Sequence, residues 1–261
     1  MYLEEKATVS TNAWRQVGSR MFVEPKHLVS VENLIQGTVT TSGNDSAVVL
    51  AELISGNEKQ FAQLMSERAL ALGAKNSSFK NPTGLPAKGH YSTAYDIALL
   101  SKKLIDLFPD EYQRFFHDKE FRYNGITQKS HNLLLGGVDG VDGIKTGHTD
   151  AGGYGISLSA KKGNTRLIVV VNGLPSSSQR VLVARNLLRQ GFSQFRTVEL
   201  FAQNETVGLF PPVVRGQQDP LALKVKSSVK LPQLLDKPTS VDVSVQLTKD
   251  SLPVRKDEKL A

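Results

Sequence analysis

Apolar residues recur at helical spacing through residues 30–72, broken at a few polar points. Val31, Leu34 and Ile35 share one face and lead into the turn Ser42-Gly43-Asn44. Asp45 or Ser46 is placed to cap a second helix carrying Val48, Val49, Leu50, Leu53 and Ile54, which Gly56-Asn57 breaks. Asn57 with Gln60 three positions on has the form of a capping box, in which a side-chain oxygen accepts an orphan backbone N–H. The helix behind it puts Phe61, Leu64, Met65 and Leu72 on one face and stops at Gly73. Residues 73–91, rich in Asn, Gly and Pro, form a loop. Thr93 and Asp96 open a further helix, which Pro109 closes.

From there the period shortens. Phe121-Arg122-Tyr123 before Asn124-Gly125 predicts a hairpin, since both central positions of a type I′ turn need positive φ. Residues 154–160 and 165–171 are two strands around Lys162-Gly163-Asn164. The continuously apolar run Leu167–Val171 predicts a central strand covered on both faces. A helix over 179–190 ends at Gly191. Beyond Phe195, short alternating segments such as Val225–Val229 and Val241–Leu247, separated by Pro and Gly, predict a small all-β region. The pattern as a whole is α+β: one domain over 1–195, then an incomplete all-β domain over 196–261. No repeat is visible.

The chain has 261 residues, 39% of them hydrophobic, enough to build a core without staples. It has no cysteine, which excludes disulfides and says nothing of compartment. A net charge of +7 and a pI near 9.5 favour anionic surroundings or, more simply, a solvated basic surface. No basic cluster with interleaved aromatics appears, so nucleic acid is not an expected partner. No apolar run approaches membrane-spanning length, and the charged start Met1-Tyr2-Leu3-Glu4-Glu5-Lys6 has no signal-peptide core.

Two short motifs carry chemistry. Ser42-Gly43-Asn44 stands at a helix start, where a hydroxyl can pass a proton and an amide can hold a peptide group. Lys145-Thr146-Gly147, 103 residues further from Ser42 to Lys145, leads into a strand. A cation, a hydroxyl and a residue without a Cβ at a strand edge can bind an anion and let a ligand backbone lie against the strand. Either tripeptide alone is ordinary turn or strand chemistry, found by chance in roughly a few per cent of chains this long; both in this order are far rarer. The five histidines, His27, His90, His117, His131 and His148, lack ligand spacing, so no metal or other cofactor is expected, and the first four are expected at the surface or in loops. Gly143-Ile144-Lys145-Thr146 fails the phosphate-loop pattern. Gly152, Gly153 and Gly155 read as packing space, Asp139 and Asp142 as turn formers, and Trp14 as partly buried.

The stretches Leu34–Glu52 (LIQGTVTTSGNDSAVVLAE) and Val138–Tyr154 (VDGVDGIKTGHTDAGGY) resemble the low-molecular-mass penicillin-binding proteins, the serine D-alanyl-D-alanine carboxypeptidases. The resemblance implies a β-lactamase/penicillin-binding-protein-like fold, an antiparallel sheet with helices. It implies an enzyme that removes the terminal D-alanine from peptidoglycan pentapeptides through an acyl-enzyme, outside the cytoplasm. The partners it implies are stem peptides ending in D-Ala-D-Ala and, for the intact parent, β-lactam antibiotics. By the same resemblance Ser42 relays a proton to the leaving amine, Asn44 holds the substrate amide, and Lys145 sets the field and orients Ser42. Thr146 and Arg180 bind the terminal carboxylate, Gly147 gives the substrate room, and the backbone N–H of His148 is one arm of the oxyanion hole.

The departure is the nucleophile. The family's Ser-x-x-Lys lies further upstream than the 41 residues before Ser42 allow. The three such strings present, starting at Ser77, Ser159 and Ser227, all follow Ser42. The tail Asp250–Ala261 does not resemble the family's membrane-associating helix. The expectation is therefore a member truncated at both ends and inactive alone. A noncatalytic wall-binding protein on the same fold is the alternative. A β-lactamase is disfavoured by Ser-Gly-Asn in place of Ser-Asp-Asn and by the lack of an E-x-x-L-N string.

Overall fold

Caps and turns set the first half of the molecule. In the computed structural model, which describes residues 2–210 and 221–235, β1 (Lys6–Thr8) and β2 (Leu28–Ser30) pair antiparallel. The short α1 (Thr11–Trp14) lies between them, capped by Ser10 Oγ, which accepts from the Ala13 N–H at 2.9 Å. Ser30 Oγ caps α2 (Val31–Thr40) by accepting from Asn33. Then come α3 (Asn44–Ser55) and α4 (Glu58–Ala71). Asn57 caps α4 as expected: its Oδ1 accepts from the Gln60 N–H and its Nδ2 donates to Gln60 Oε1, both at 2.9 Å. The buried face of α4 differs from the expected one. Ala62 and Ala69 are buried while Leu64 is exposed, because small residues let α4 approach its neighbours closely.

Thr93 caps α5 (Ala94–Leu107) by accepting from the Asp96 N–H. Pro109 does not simply end it. It opens a further helix, α6 (Pro109–Phe115), because a fixed φ and a missing N–H suit the first helical position. The hairpin of β3 (Glu120–Tyr123) and β4 (Ile126–Lys129) turns at Asn124 and Gly125, with φ of 50° and 75°. Its Phe121 and Tyr123 pack on a cluster built from Val9, Met21, Val23, Val29, Leu34, Val48 and Val49.

Strands β5 (Val141–Thr149), β6 (Gly153–Lys162) and β7 (Thr165–Leu174) form an antiparallel sheet in that order. The apolar run Leu167–Val171 is thus on an edge strand of this sheet, and the centre is β6, whose Ile156, Leu158 and Ala160 are buried. Alternate residues Leu167, Val169 and Val171 pack with Ala184 and Leu188 of α7 (Ser177–Gln194). That helix does not stop at Gly191: a Cβ there would lie 2.7 Å from Leu167 Cδ1, so the glycine serves close helix–sheet packing. Gly155 is likewise packing space, a Cβ falling 2.4 Å from Asn172 Oδ1. Asp142 is not a turn former. It lies in β5, accepting from the Tyr112 hydroxyl at 2.9 Å and pairing with Arg166 at 2.7 Å. Trp14 is 44% exposed, partly buried as expected.

The chain divides into two compact units after Ser193. In the second, β8 (Phe195–Phe201) pairs with β11 (Val229–Leu234), and β9 (Thr206–Phe210) with β10 (Leu221–Lys224). The expected strand Val225–Val229 is mostly the connection between β10 and β11; Val241–Leu247 and Asp250–Ala261 lie outside the described residues.

On the side of β7 away from α7, Ile168 lines an apolar groove with Tyr95, Ala98, Leu99 and Ile105 of α5. An apolar edge strand templates pairing with other chains. The chain is therefore expected to self-associate with rising concentration, and Ile168→Lys to shift its sedimentation towards the monomer.

Candidate active site

The turn after α2 is built to present a hydroxyl. Ser42 adopts φ of 57°, in the left-handed region that L residues rarely visit, a local strain of the kind held at functional sites. Gly43 follows because nothing larger fits: a Cβ there would meet Ser46 Oγ at 2.5 Å and the Met21 N–H nitrogen at 3.1 Å. Gly43 is also the N-cap of α3, with no side-chain cap. Neither Asp45 nor Ser46 caps the helix as expected. Ser46 Oγ donates to the Gly43 carbonyl at 2.9 Å. Asp45, 1% exposed, accepts from the N–H groups of Met21, Phe22 and Val23 at 2.8, 2.9 and 3.2 Å. Asn44 Nδ2 donates to the Val17 carbonyl at 2.6 Å, and its N–H to the Ser19 carbonyl at 2.8 Å. The segment 17–23 is thereby fastened to the motif.

The second motif arrives on β5, an edge of the sheet. Lys145 Nζ donates to Ser42 Oγ and, at 3.1 Å, to the Thr146 carbonyl. Burial, aided by the Arg180 charge, lowers the Lys145 pKa to about 8. A cation favoured by an anion is thus fully present below about pH 8 and is lost as pH rises through it. Affinity for a carboxylate ligand should fall over that range, and Lys145→Met should flatten the fall; titration calorimetry at stepped pH reads both. The sign for stability is opposite. A lysine whose folded pKa lies below the ordinary 10.5 strains the fold while charged, so stability rises from about pH 8 towards 10.5.

Arg180, in the first turn of α7, completes the cationic wall. It is 5% exposed, donates from Nη2 to the His131 carbonyl at 3.2 Å and to Ser177 Oγ at 3.1 Å, and lies over the Tyr154 ring at 5.7 Å. Its Nε is buried without a protein partner.

Ser42, Asn44, Lys145, Thr146, Gly147, His148 and Arg180 all line one cleft of 840 Å³. All seven residues selected from sequence are therefore brought together. A Cβ on Gly147 would meet nothing within 4 Å, so internal packing does not demand this glycine; the space it leaves opens to the cleft. Gly147→Ala is accordingly expected to leave the melting temperature unchanged while weakening a peptide ligand about tenfold, the pairing of effects that separates a binding role from a packing role. The other edge residue, His148, stacks on Tyr154 at 3.9 Å between ring centroids.

Four participants were not anticipated. His131 and His90 lie in loops, as expected, and both line the cleft. Burial lowers both pKa values, with Lys145 and Arg180 adding to the effect at His131 and Lys80 at His90. Tyr154 forms a wall, and Asp45 anchors the segment 17–23. Only Asp45, adjoining the motif, had a sequence signal. Among the described residues no group of three His, Asp or Glu side chains is placed to hold a metal ion, and no helix is long and apolar enough to cross a membrane.

A strained serine fed by a half-buried lysine at a sheet edge, with α helices on the flanks, is the arrangement of the penicillin-binding-protein and β-lactamase fold. Penicillin binding protein 5 from Haemophilus influenzae matches over 96% of this chain and 74% of its own, with a TM-score of 0.85 and 32% identity. Penicillin-Binding Protein D2 from Listeria monocytogenes in its ampicillin-bound form matches over 73% of this chain and 78% of its own, with a TM-score of 0.66 and 30% identity. The family model for D-alanyl-D-alanine carboxypeptidases matches residues 1–176. Curated relatives include the D-alanyl-D-alanine carboxypeptidases DacF of Bacillus subtilis, 36% identical over 88% of this chain, and DacD of Escherichia coli, 40% identical over 78%. The chain belongs to the D-alanyl-D-alanine carboxypeptidase family. It spans 59% and 54% of the lengths of those two relatives.

Proposed function

We propose that this chain is the substrate-holding part of a serine D-Ala-D-Ala carboxypeptidase that trims the terminal D-alanine from peptidoglycan pentapeptides outside the cytoplasm, and that by itself it binds such peptides without cleaving them. The observation that carries the reading is the meeting of Lys145 Nζ with Ser42 Oγ, 103 residues apart, in the cleft that also holds the buried Arg180. The region to about residue 195 is the catalytic module, and the β-rich region after it is a separate module.

In this reading the peptide lies along the open edge of β5, its backbone pairing with the strand. The terminal carboxylate meets Arg180 and the Thr146 hydroxyl, Asn44 accepts from a ligand amide, and the N–H of His148 points to the scissile carbonyl. Lys145, paired with Ser42, keeps a proton path to the leaving amine. A β-lactam, of the kind bound in the ampicillin form of Penicillin-Binding Protein D2, occupies the same positions. Binding without cleavage is supported by sequence order: within these 261 residues no Ser-x-x-Lys precedes Ser42. That same feature supports the second reading, a peptidoglycan-binding protein without catalysis.

The test is chemical-shift mapping with N-acylated D-Ala-D-Ala and its L,L counterpart. Saturable shifts at Thr146, Gly147 and His148 with the D,D peptide alone support the reading. Equal response to both, or none, contradicts it.

A further inference from the structure

His131 joins the two halves of the cleft. Its carbonyl accepts from Arg180 Nη2 at 3.2 Å, and its imidazole, open to the cleft, interacts with the main chain of Thr41, the residue before the strained Ser42. The charged groups facing it are Lys145 from β5 and Arg180 from α7. The titratable His148 of β5, Tyr154 of β6 and His90 of the 73–92 loop line the same cleft.

We propose that His131 is a specificity-determining residue of this cleft: neutral, it braces the Ser42 turn against Arg180, and protonated, it supplies a third positive charge that strengthens the hold on a ligand carboxylate. The proposal rests on the peptide-binding reading above. Burial, and then the two cations Lys145 and Arg180, oppose protonation of His131, only partly offset by the main chain of Thr41. An anion between Lys145 and Arg180 cancels that opposition. Binding and proton uptake are then linked: the carboxylate raises the proton affinity of His131, and the proton raises the carboxylate affinity by the same factor. A neutral C-terminal amide gains nothing. Acidification would thus sharpen the choice between a free carboxylate terminus and a blocked one.

The experiment is titration calorimetry of the 261-residue chain with N-acylated D-Ala-D-Ala and with its C-terminal amide, from about pH 5 to about pH 7, which spans the ordinary imidazole range while Lys145, at about 8, stays mostly charged. The acid is expected to bind several-fold tighter at the lower end, as a rise in the proton affinity of the histidine on binding requires, and the amide equally at both ends. His131→Gln should remove the slope; His90→Gln should keep it. An imidazole resonance of His131 that moves to higher pKa with the acid is the accompanying signature that a purely structural role would not produce. A slope that persists in His131→Gln, or is lost only in His90→Gln, overturns the assignment while leaving the cleft reading intact. Failure of acid and amide alike to bind overturns the cleft reading and this assignment with it.

Discussion

A fluorescent penicillin is expected to leave the 261-residue chain unlabelled, and incubation with D-Ala-D-Ala peptides to release no D-alanine above background. Acyl transfer needs a serine activated by a neighbouring base. In Ser-x-x-Lys that arrangement requires a helix, where the lysine one turn on shares the serine's face. None of the three strings in this chain lies on one. Ser77 is in a loop, its hydroxyl donating to Asp96 Oδ2 at 2.7 Å. Ser159 is fully buried in β6, and Lys162, three residues along a strand, points to the opposite face. Ser227 lies in the bend between β10 and β11. Losing the nucleophile of a serine hydrolase costs on the order of 10⁶ in rate, so labelling falls below detection. Labelling abolished by Ser77→Ala or by Ser42→Ala would place the nucleophile within this chain and overturn the prediction.

The second large effect concerns Asp45. Its carboxylate accepts from three consecutive N–H groups, two of them on the buried residues Met21 and Val23, and it also accepts from its neighbour's N–H at 2.9 Å. Consecutive N–H groups can point at one acceptor only if the chain turns sharply, and Phe22 takes φ of 67° to do so. Asp45→Ala strands these donors away from water, at about 1–3 kcal/mol for each buried one. The total expected loss is about 3–5 kcal/mol, measured by denaturant unfolding. Asp45→Asn keeps one acceptor oxygen and should lose about half as much. Because Val17 and Ser19 accept from Asn44, the segment 17–23 should also exchange its amide hydrogens faster in Asp45→Ala.

Much of the site was legible because its chemistry sits in contiguous motifs. Ser42, Asn44, Lys145 and Thr146 announce themselves by residue type and order, and local signals such as Asn57 with Gln60 or Asn124-Gly125 report backbone geometry directly. What sequence missed depends on tertiary packing. The apolar run of β7 was placed at the sheet centre because hydrophobicity reports burial, not the number of paired neighbours. Gly191 was read as a helix stop, whereas its lack of a side chain serves contact with Leu167. His131 carries no motif; it matters because a loop brings it between Arg180 and the Ser42 turn. Asp45 was assigned to the helix beside it, while its partners lie more than twenty residues back, out of reach of any local rule.

In the proposed function this cleft holds a D-Ala-D-Ala carboxylate terminus on Lys145 and Arg180 without cutting it. The most direct measurement is a calorimetric titration with N-acylated D-Ala-D-Ala, wild type against Arg180→Gln, with the mixture assayed afterwards for free D-alanine. Saturable binding that weakens at least about tenfold in the variant, with the peptide recovered intact, is the predicted result. Equal affinity in the two proteins, or release of D-alanine, would contradict it.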